Sequence, residues 1–185
     1  MPNVLIVAAT ERELNGRDGL VCGIGPVEAA AATARALALR EWGAVLHVGI
    51  AGGRGLAAGS LAIGAEAVYC DLDAMIRRVD RVAADPRLVE AARKALPRAP
   101  VVSIGTSAAV EGSGHCFPVE AMEGFAVLRA AALAGVPAIE VRAVSNEVGE
   151  QDRSLWLVDD ALGALEAALP ALLAEIEAAL DLAVT

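Results

Sequence analysis

The sequence is poor in several residue types that catalytic and metal sites commonly use. Of its 185 residues, two are histidines, three are cysteines and 3% are aromatic. A Ser–His–Asp arrangement or a metal cluster cannot be assembled from so few histidines. The cysteines, Cys22, Cys70 and Cys116, have neither metal-ligand nor CxxC spacing, so we interpret them as buried thiols. We therefore predict no metal and no cofactor.

Basic charge and long apolar runs are also missing. The formal net charge is −9, which argues against nucleic acid because phosphates require a basic face. Hydrophobic residues make up 56% of the sequence, yet no run approaches the roughly 18 residues that span a bilayer. The run Val4–Ala9 is too short for a signal-peptide core. We expect a cytoplasmic protein that binds small molecules and no membrane.

Apolar, β-branched runs alternate with alanine- and leucine-rich helical segments along the whole chain. The predicted strands are Val4–Ala9, Ala44–Ile50, Leu61–Cys70, Val101–Ile104 and Ala138–Val144. The predicted helices are Val27–Trp42, Asp85–Leu96, Glu120–Ala134 and Ser154–Leu182, the last with a kink or break at Pro170. This order predicts an α/β fold of one three-layer domain, residues 1–185, with a mainly parallel, mixed central sheet flanked by helices.

Polar or glycine-rich stretches follow four of the predicted strands. They are Thr10–Glu13, Ala51–Arg54, Gly105–Ser107 and Ser145–Asn146. Ligands of such sheets bind outside the carboxyl ends of the strands. We therefore expect the four stretches to converge on one edge of the sheet.

The carboxylates near these stretches each have two interpretations. Glu11 and Glu13 either provide a general base or form a solvated charge run with Arg12. Glu123 has apolar neighbours, so its carboxylate requires partners, and sugar hydroxyls are natural donors to it. The first turn of a helix also favours a capping carboxylate there. Composition and spacing leave both interpretations open.

Glycine turns, an amide and a histidine occupy other strand ends. Gly49–Gly53 and Gly23–Pro26 are either plain turns or places where backbone N–H groups meet a ligand or an anion. Asn146 either completes a turn or faces a ligand. His47 lies inside an apolar strand, and we interpret it as a core residue.

Four segments together resemble the purine nucleoside phosphorylase and nucleosidase superfamily. They are Ala9–Glu13, His47–Gly53, Glu120–Gly124 and Arg142–Asn146. Three segments are most similar to the futalosine hydrolase family, namely Val119–Phe125, Ser145–Gly149 and Asp152–Trp156. The resemblance covers most of the chain. It implies a nucleoside phosphorylase-like fold, a homo-oligomer (a dimer or larger), and hydrolysis of futalosine to hypoxanthine and dehypoxanthine futalosine in menaquinone biosynthesis.

The resemblance also implies roles for individual residues. Glu13 would activate the attacking water, with Glu11 as its substitute if the register is off by two. Asn146 would contact the base at N7 and at its 6-substituent. The implied substrate-binding residues are Ala51, Gly52, Met122, Glu123, Ser145 and Trp156.

The residues at two positions narrow the choice of substrate and of nucleophile that the resemblance implies. Nucleosidases for adenine compounds typically carry Asp where this chain has Asn146, and an amide can donate to a 6-oxo group. Related phosphorylases carry Arg where this chain has His47, and a neutral imidazole holds phosphate poorly. We therefore favour water as the nucleophile and a 6-oxopurine nucleoside as the substrate. The alternatives are a methylthioadenosine/S-adenosylhomocysteine-type nucleosidase, a purine nucleoside phosphorylase and a noncatalytic purine-binding domain.

The chain departs from the family pattern at two places. It is shorter at residues 14–22, where an early hairpin is expected to be lost, and at residues 71–118, where the strand before Met122 is expected to be cut. We predict that Thr106–Val110 forms the wall against which the base stacks. The sequence assigns no role to His115 or Arg54.

Overall fold

The computed structural model describes residues 3–72, 79–110 and 116–182. The strands in these ranges are β1 (Val4–Ala8), β2 (Leu20–Val21), β3 (Ala44–Gly53), β4 (Leu61–Tyr69), β5 (Arg81–Ala83), β6 (Val101–Thr106), β7 (Val119–Ala121) and β8 (Ala138–Glu147). The helices are α1 (Glu11–Leu14), α2 (Pro26–Leu39), α3 (Pro86–Ala95), α4 (Gly124–Ala134) and α5 (Val158–Asp181). A short 3-10 helix, Arg153–Leu155, precedes α5.

The strands of the described residues form one mixed sheet. Strand β3 pairs in parallel with β1 and β8, and β6 pairs in parallel with β4 and β7. The two sets meet through antiparallel pairs, β3 with β7 and β4 with β8. The hydrogen-bonded pairs therefore form a closed ring of five strands in the order β3, β8, β4, β6 and β7. The strands β1, β3 and β8 run antiparallel to the strands β4, β6 and β7.

Helices cover both faces of the sheet. Helices α3 and α5 bury Leu88, Leu165 and Leu172 against β1, β3 and β8. Helices α2 and α4 bury Ala29 and Val127 against the opposite face. Strands covered on both sides are apolar at nearly every position, which is why β1 and β3 lack a polar alternation. The predicted fold class, a mainly parallel mixed sheet flanked by helices, is confirmed.

Two predicted helices begin later than the sequence indicated. The helix expected from Glu120 begins at Gly124, because Val119–Ala121 joins the sheet as β7. The strand expected to be cut before Met122 is therefore present, although only three residues long. The helix expected from Ser154 begins at Val158, and α5 continues through Pro170 without ending there.

One smaller expectation also needs correction. The cysteines are not uniformly buried: Cys22 is buried, Cys70 is half-buried and Cys116 is exposed.

Residues 14–22 contain β2, which pairs in parallel with β1. His115 lies outside the described residues. Among the helices of the described ranges, none combines the length and the hydropathy that a membrane crossing requires.

Candidate active site

Three of the four polar stretches meet at one cavity of about 400 Å³. They follow β1, β3 and β8, whose carboxyl ends share an edge of the sheet. The stretch Gly105–Ser107 does not line the cavity, because it lies on the far side of β7 in the sheet: Gly105 pairs with Glu120, and Glu120 pairs with Gly52. Ala109 and Val110, further along the chain, do line the cavity. All eight predicted site residues line this cavity, namely Glu13, Ala51, Gly52, Met122, Glu123, Ser145, Asn146 and Trp156. Their roles stay predictions.

Glu13 is held in a fixed position by hydrogen bonds to both carboxylate oxygens. Thr10 and Glu13 form a capping box at the start of α1, in which Oε2 accepts from the Thr10 N–H and hydroxyl, each at 2.9 Å. Oε1 accepts from the backbone N–H of Ile50 at 3.1 Å. The carboxylate is thus tied both to the end of β1 and to the middle of β3.

The structure separates the two glutamates that the sequence left undecided. Glu11 and Arg12 are exposed, and Arg12 pairs with Asp159 on the surface, whereas Glu13 is buried. Gly49 makes room for the buried carboxylate, because a β-carbon at Gly49 would lie 2.6 Å from Glu13 Oε1. The solvated-run interpretation therefore fits Glu11 and does not fit Glu13.

Glu123 lies at the start of α4, yet its side chain does not cap that helix. The Thr106 hydroxyl accepts from the N–H of Phe125 instead, at 2.9 Å. Glu123 Oε1 accepts at 3.0 Å from the N–H of Gly25, the residue that precedes α2. The anion at the N-terminus of α2 is thus a carboxylate of the protein itself, where the helix macrodipole favours negative charge.

Arg142 is the buried cation of the site, with 1% of its surface exposed. Its Nε donates to Glu140 Oε1 at 2.7 Å, and its Nη2 lies 3.6 Å from Glu123 Oε2. Burial lowers the pKa of Arg142, but the charges of Glu140, Glu123 and Glu13 outweigh burial and raise it above its usual value. Arg142 therefore stays charged behind the two carboxylates of the cavity.

Glu140 is fully buried on β8 and shares Arg142 with the cavity carboxylates. Burial raises the pKa of Glu140, while the positive charge of Arg142 opposes the rise. Its carboxyl group packs against Gly124, where a β-carbon would lie 2.5 Å from Glu140 Cδ. The first residue of α4 must therefore be glycine for this packing.

His47 is a core residue that does not line the cavity. Its Nδ1 lies 3.0 Å from the carbonyl oxygen of Val7, and its Nε2 faces the guanidinium of Arg142. Burial and then the charge of Arg142 hold the pKa of His47 well below its usual value. The neutral imidazole can donate to Val7 from one nitrogen and accept from Arg142 at the other.

Asn146 follows the buried part of β8 and is oriented by its neighbours. Ser145 Oγ donates to Asn146 Oδ1 at 2.7 Å, and Asn146 Nδ2 donates to the carbonyl of Glu147 at 3.0 Å. An amide has two N–H groups and two acceptor sites, so one donor and one acceptor stay available for a ligand. Asn146 can therefore keep its hydrogen bond to the Glu147 carbonyl and contact a ligand at the same time.

Trp156 reaches the cavity from the segment between β8 and α5. Its indole N–H donates at 3.1 Å to the carbonyl of Glu150, which fixes the ring relative to the segment. Leu157 anchors the end of the segment, since its N–H donates to the Ser145 carbonyl at 2.8 Å. Arg54 is exposed and does not line the cavity.

Several residues that line the cavity were not predicted from the sequence, and Glu120 is the most informative of them. It lines the cavity with 9% of its surface exposed, in the middle of β7. Its neighbours Val119 and Ala121 are core residues, so apolar–polar–apolar alternation was the signal. The assignment of Glu120 to a helix hid this signal. The described residues contain no cluster of three or more side chains that could hold a metal ion.

Comparison with known proteins places this geometry among nucleoside-cleaving enzymes. The sequence profile of the phosphorylase superfamily matches residues 19–116. The futalosine hydrolase of Streptomyces coelicolor is 37% identical over an alignment of 179 residues in length, and the match covers 82% of this chain and 76% of that protein. The futalosine hydrolase of Acidothermus cellulolyticus is 38% identical over an alignment of 191 residues in length, and the match covers 89% of this chain and 78% of that protein.

A solved structure shows the same fold. A 5′-methylthioadenosine/S-adenosylhomocysteine nucleosidase from Colwellia psychrerythraea, in complex with adenine, superposes with a TM-score of 0.84. The match covers 95% of this chain and 96% of that chain at 19% sequence identity. The similarity identifies the fold as nucleoside phosphorylase-like. The identity of the purine base and of the nucleophile depends on the residues of the cavity.

Proposed function

Because the chain belongs to the futalosine hydrolase family of the phosphorylase superfamily, we propose that its cavity hydrolyses futalosine to hypoxanthine and dehypoxanthine futalosine. The resemblance drawn from the sequence is confirmed, and the protein is a hydrolase of N-glycosyl bonds. The observation that carries the mechanism is the pairing of two buried carboxylates, Glu13 and Glu123, in one cavity behind the charged Arg142.

Glu13 is the general base in this mechanism. A water molecule beside the anomeric carbon of the ribose gives its proton to Glu13 as it attacks. Three hydrogen bonds, from Thr10 and from Ile50, hold the carboxylate, so it needs no reorganisation to receive the proton. The glycosidic bond breaks, the electron pair leaves with the base, and N7 of the base takes a proton from solvent water.

Glu123 binds the ribose and stabilises the positive charge that develops on it. Sugar hydroxyls donate to its carboxylate, and its negative charge opposes the charge of an oxocarbenium-like transition state. The Gly25 N–H and Arg142 hold Glu123 from the side away from solvent. Met122 packs beside the sugar, and Ala51 and Gly52 lie under the sugar and the base.

Asn146 receives the leaving base. Its remaining amide N–H donates to the 6-oxo group, and its oxygen faces the protonated N7 of the departing purine. The bond from Ser145 to Asn146 Oδ1 supports this orientation. Trp156 closes the cavity over the nucleoside.

Water is the nucleophile because the cavity offers phosphate no suitable group at the place where related phosphorylases carry arginine. His47 occupies that place, is buried away from the cavity and has a pKa well below its usual value, so it is neutral. Arg142 is already shared among carboxylates.

The direct test is release of hypoxanthine from futalosine in phosphate-free buffer. Glu13→Gln should lower kcat by about 10²- to 10⁴-fold, because removal of a general base has effects of that size. Glu11→Gln is the matched control, since Glu11 is exposed and outside the cavity, and it should retain activity. Equal losses in both variants would contradict the assignment of Glu13.

Three other outcomes would replace the proposal. A requirement for phosphate would make the protein a phosphorylase. Faster cleavage of methylthioadenosine than of futalosine would overturn the role given to Asn146. Hypoxanthine binding by calorimetry without turnover of any nucleoside would identify a noncatalytic purine-binding domain.

We further propose that the reaction belongs to menaquinone biosynthesis, in the cytoplasm, and that the protein acts as a homo-oligomer. The first proposal follows from futalosine as substrate. The location in the cytoplasm rests on the likeness to the family. The homo-oligomer rests on that likeness and on apolar side chains exposed at the cavity mouth, among them Ile24.

A further inference from the structure

A second cavity, of about 260 Å³, adjoins the first one between α1 and α5. Three residues line both cavities, namely Arg12, Glu13 and Leu162. Because Glu13 is assigned to the anomeric carbon, the space beside the ribose continues towards α5. The proposed contacts of the base and the ribose lie elsewhere, on β3, on β8 and before α4. A substrate that is longer than a nucleoside can therefore extend in this direction.

The wall of the first cavity on this side is apolar and ends at a cation. Val158 and Leu162 lie one turn apart on α5, and both line the cavity. Arg12 lines it as well, and among the described residues it is the only arginine or lysine that does so. An apolar group that lies along α5 and ends in an anion would match this arrangement of side chains.

The guanidinium of Arg12 is available to such an anion. It pairs with Asp159, but the side chain of Arg12 is 62% exposed and that of Asp159 is 89% exposed. Exposed ion pairs contribute little to stability, so release of Asp159 in favour of a ligand costs little. A guanidinium also binds a carboxylate through two parallel N–H donors, which makes it selective for that group.

The second cavity is acidic beyond Arg12. Asp159 and Glu166 are exposed carboxylates that line it. Like charges repel, so an anion that enters from the first cavity should stop at Arg12, where the two cavities join. The position of the anion relative to the ribose is thereby limited from both sides.

We propose that Arg12 is a specificity-determining residue that binds a carboxylate carried on the 5′ side of the nucleoside. The inference rests on the proposed function, since it concerns the far end of the same substrate. Futalosine extends the nucleoside at its 5′ carbon by a chain with an aromatic ring that bears a carboxylate. The ring lies along Val158 and Leu162, and the carboxylate accepts from the guanidinium of Arg12.

Kinetics with a matched pair of substrates test this. Hypoxanthine release should be measured from futalosine and from its methyl ester, which lacks the negative charge. The wild type should have the higher kcat/KM for futalosine. In Arg12→Gln this preference should fall by about 5- to 30-fold, less than for a fully buried charged pair because Arg12 is partly exposed. The loss should appear mainly in KM, since the carboxylate is remote from the reacting bond.

Asp159→Asn should act in the opposite direction. It removes the carboxylate that competes for Arg12, so the preference for futalosine over its ester should rise by about 2- to 5-fold. If the pair of Arg12 and Asp159 were only structural, both substitutions would act alike. Arg54→Gln is the matched control, because Arg54 is also exposed but lines neither cavity, and it should keep the preference of the wild type.

Three results would overturn the proposal. The first is an unchanged preference for futalosine in Arg12→Gln, or an equal fall in Arg54→Gln. The second is a fall of the preference in Asp159→Asn. The third is a wild-type preference that added salt does not reduce, because salt screens an exposed charge pair. Each result leaves futalosine hydrolysis intact, whereas failure of the proposed function appears as absent hypoxanthine release from futalosine or as full activity of Glu13→Gln.

Discussion

Arg142 joins carboxylates that come from three parts of the chain. Glu13 belongs to α1, Glu123 precedes α4, and Glu140 lies two residues before Arg142 on β8. The charges of all three act on the guanidinium. Loss of one partner of a buried ion pair leaves an uncompensated charge, which is strongly destabilising. The groups proposed for catalysis therefore also contribute to the stability of the core.

His47 makes stability depend on pH. The pKa of its imidazole is near 6.5 in an unfolded chain and well below that value in the folded protein. As pH falls below 6.5, the unfolded chain binds a proton that the folded protein does not, so stability falls. Between about pH 7.5 and about pH 5.5 the wild type should lose about 1 kcal/mol more stability than His47→Gln in urea unfolding.

The comparison with His47→Gln is needed because Glu140 acts in the opposite sense. Its pKa is raised in the folded state by burial, so its contribution to stability is present at low pH and is lost as pH rises. Both proteins contain Glu140, so the difference between them isolates His47. Parallel pH profiles for the two proteins would contradict the interpretation of His47 as a neutral core residue.

At the scale of elements, two helix glycines should respond oppositely to alanine. Gly124 begins α4 against the buried carboxyl group of Glu140, so Gly124→Ala should destabilise the protein by about 1–3 kcal/mol through overpacking. Gly163 is exposed within α5, and a β-carbon added there would meet no atom within 4 Å.

Gly163→Ala should therefore stabilise the protein by about 0.5–1 kcal/mol, because alanine loses less backbone entropy in a helix. Urea unfolding of both variants at one pH provides the measurement. An undiminished stability of Gly124→Ala would show that the Gly124–Glu140 contact does not limit the start of α4, and destabilisation by Gly163→Ala would contradict the prediction for the exposed glycine.

Elements were predictable where their residues followed one pattern over several positions. Strands β1 and β3 are nearly continuous apolar runs, β8 begins with apolar residues around Glu140 and Arg142, and the cores of all three were identified. Strand β7 has only three residues beside a helix, so its alternation around Glu120 is too short to stand out. Strand β5, also of three residues, was missed for the same reason.

The site was predictable where it follows the parallel strands β1, β3 and β8. The stretch Gly105–Ser107 lies level with Gly52 but does not line the cavity, because β7, which was not predicted as a strand, lies between β3 and β6. Glu123 was identified as a carboxylate in need of partners, but its donor, Gly25, is 98 residues away in the chain. Contacts of that range depend on how helices pack on the sheet.

At the scale of the whole molecule, we propose that residues 1–185 form a single domain. The strands of the described residues share one sheet, and the cavity takes residues from both halves of the chain. The proposal agrees with the closed ring of strand pairs, in which β3 and β4 from the first half of the chain pair with β6, β7 and β8 from the second half.

The proposed oligomer has a testable surface on α2. Val27 is 78% exposed in the first turn of the helix, close to Ile24 at the cavity mouth, and Leu39 is 75% exposed at the other end. Sedimentation should show an oligomer for the wild type and for Leu39→Glu, and a smaller species for Val27→Glu. A monomeric wild type, or dissociation of Leu39→Glu alone, would contradict this surface.

The long parallel pair between β3 and β8 also determines when the cavity can exist. Ser145 donates to the carbonyl of Ala51 across 94 residues of sequence, and β8 supplies Asn146 and Arg142 as well. Contacts between distant parts of a chain form slowly, because closure of a long loop precedes them. During synthesis, Glu13 and the glycine turn of β3 emerge early but have no cavity until β8 is added, so the capacity to bind a nucleoside appears in one late step.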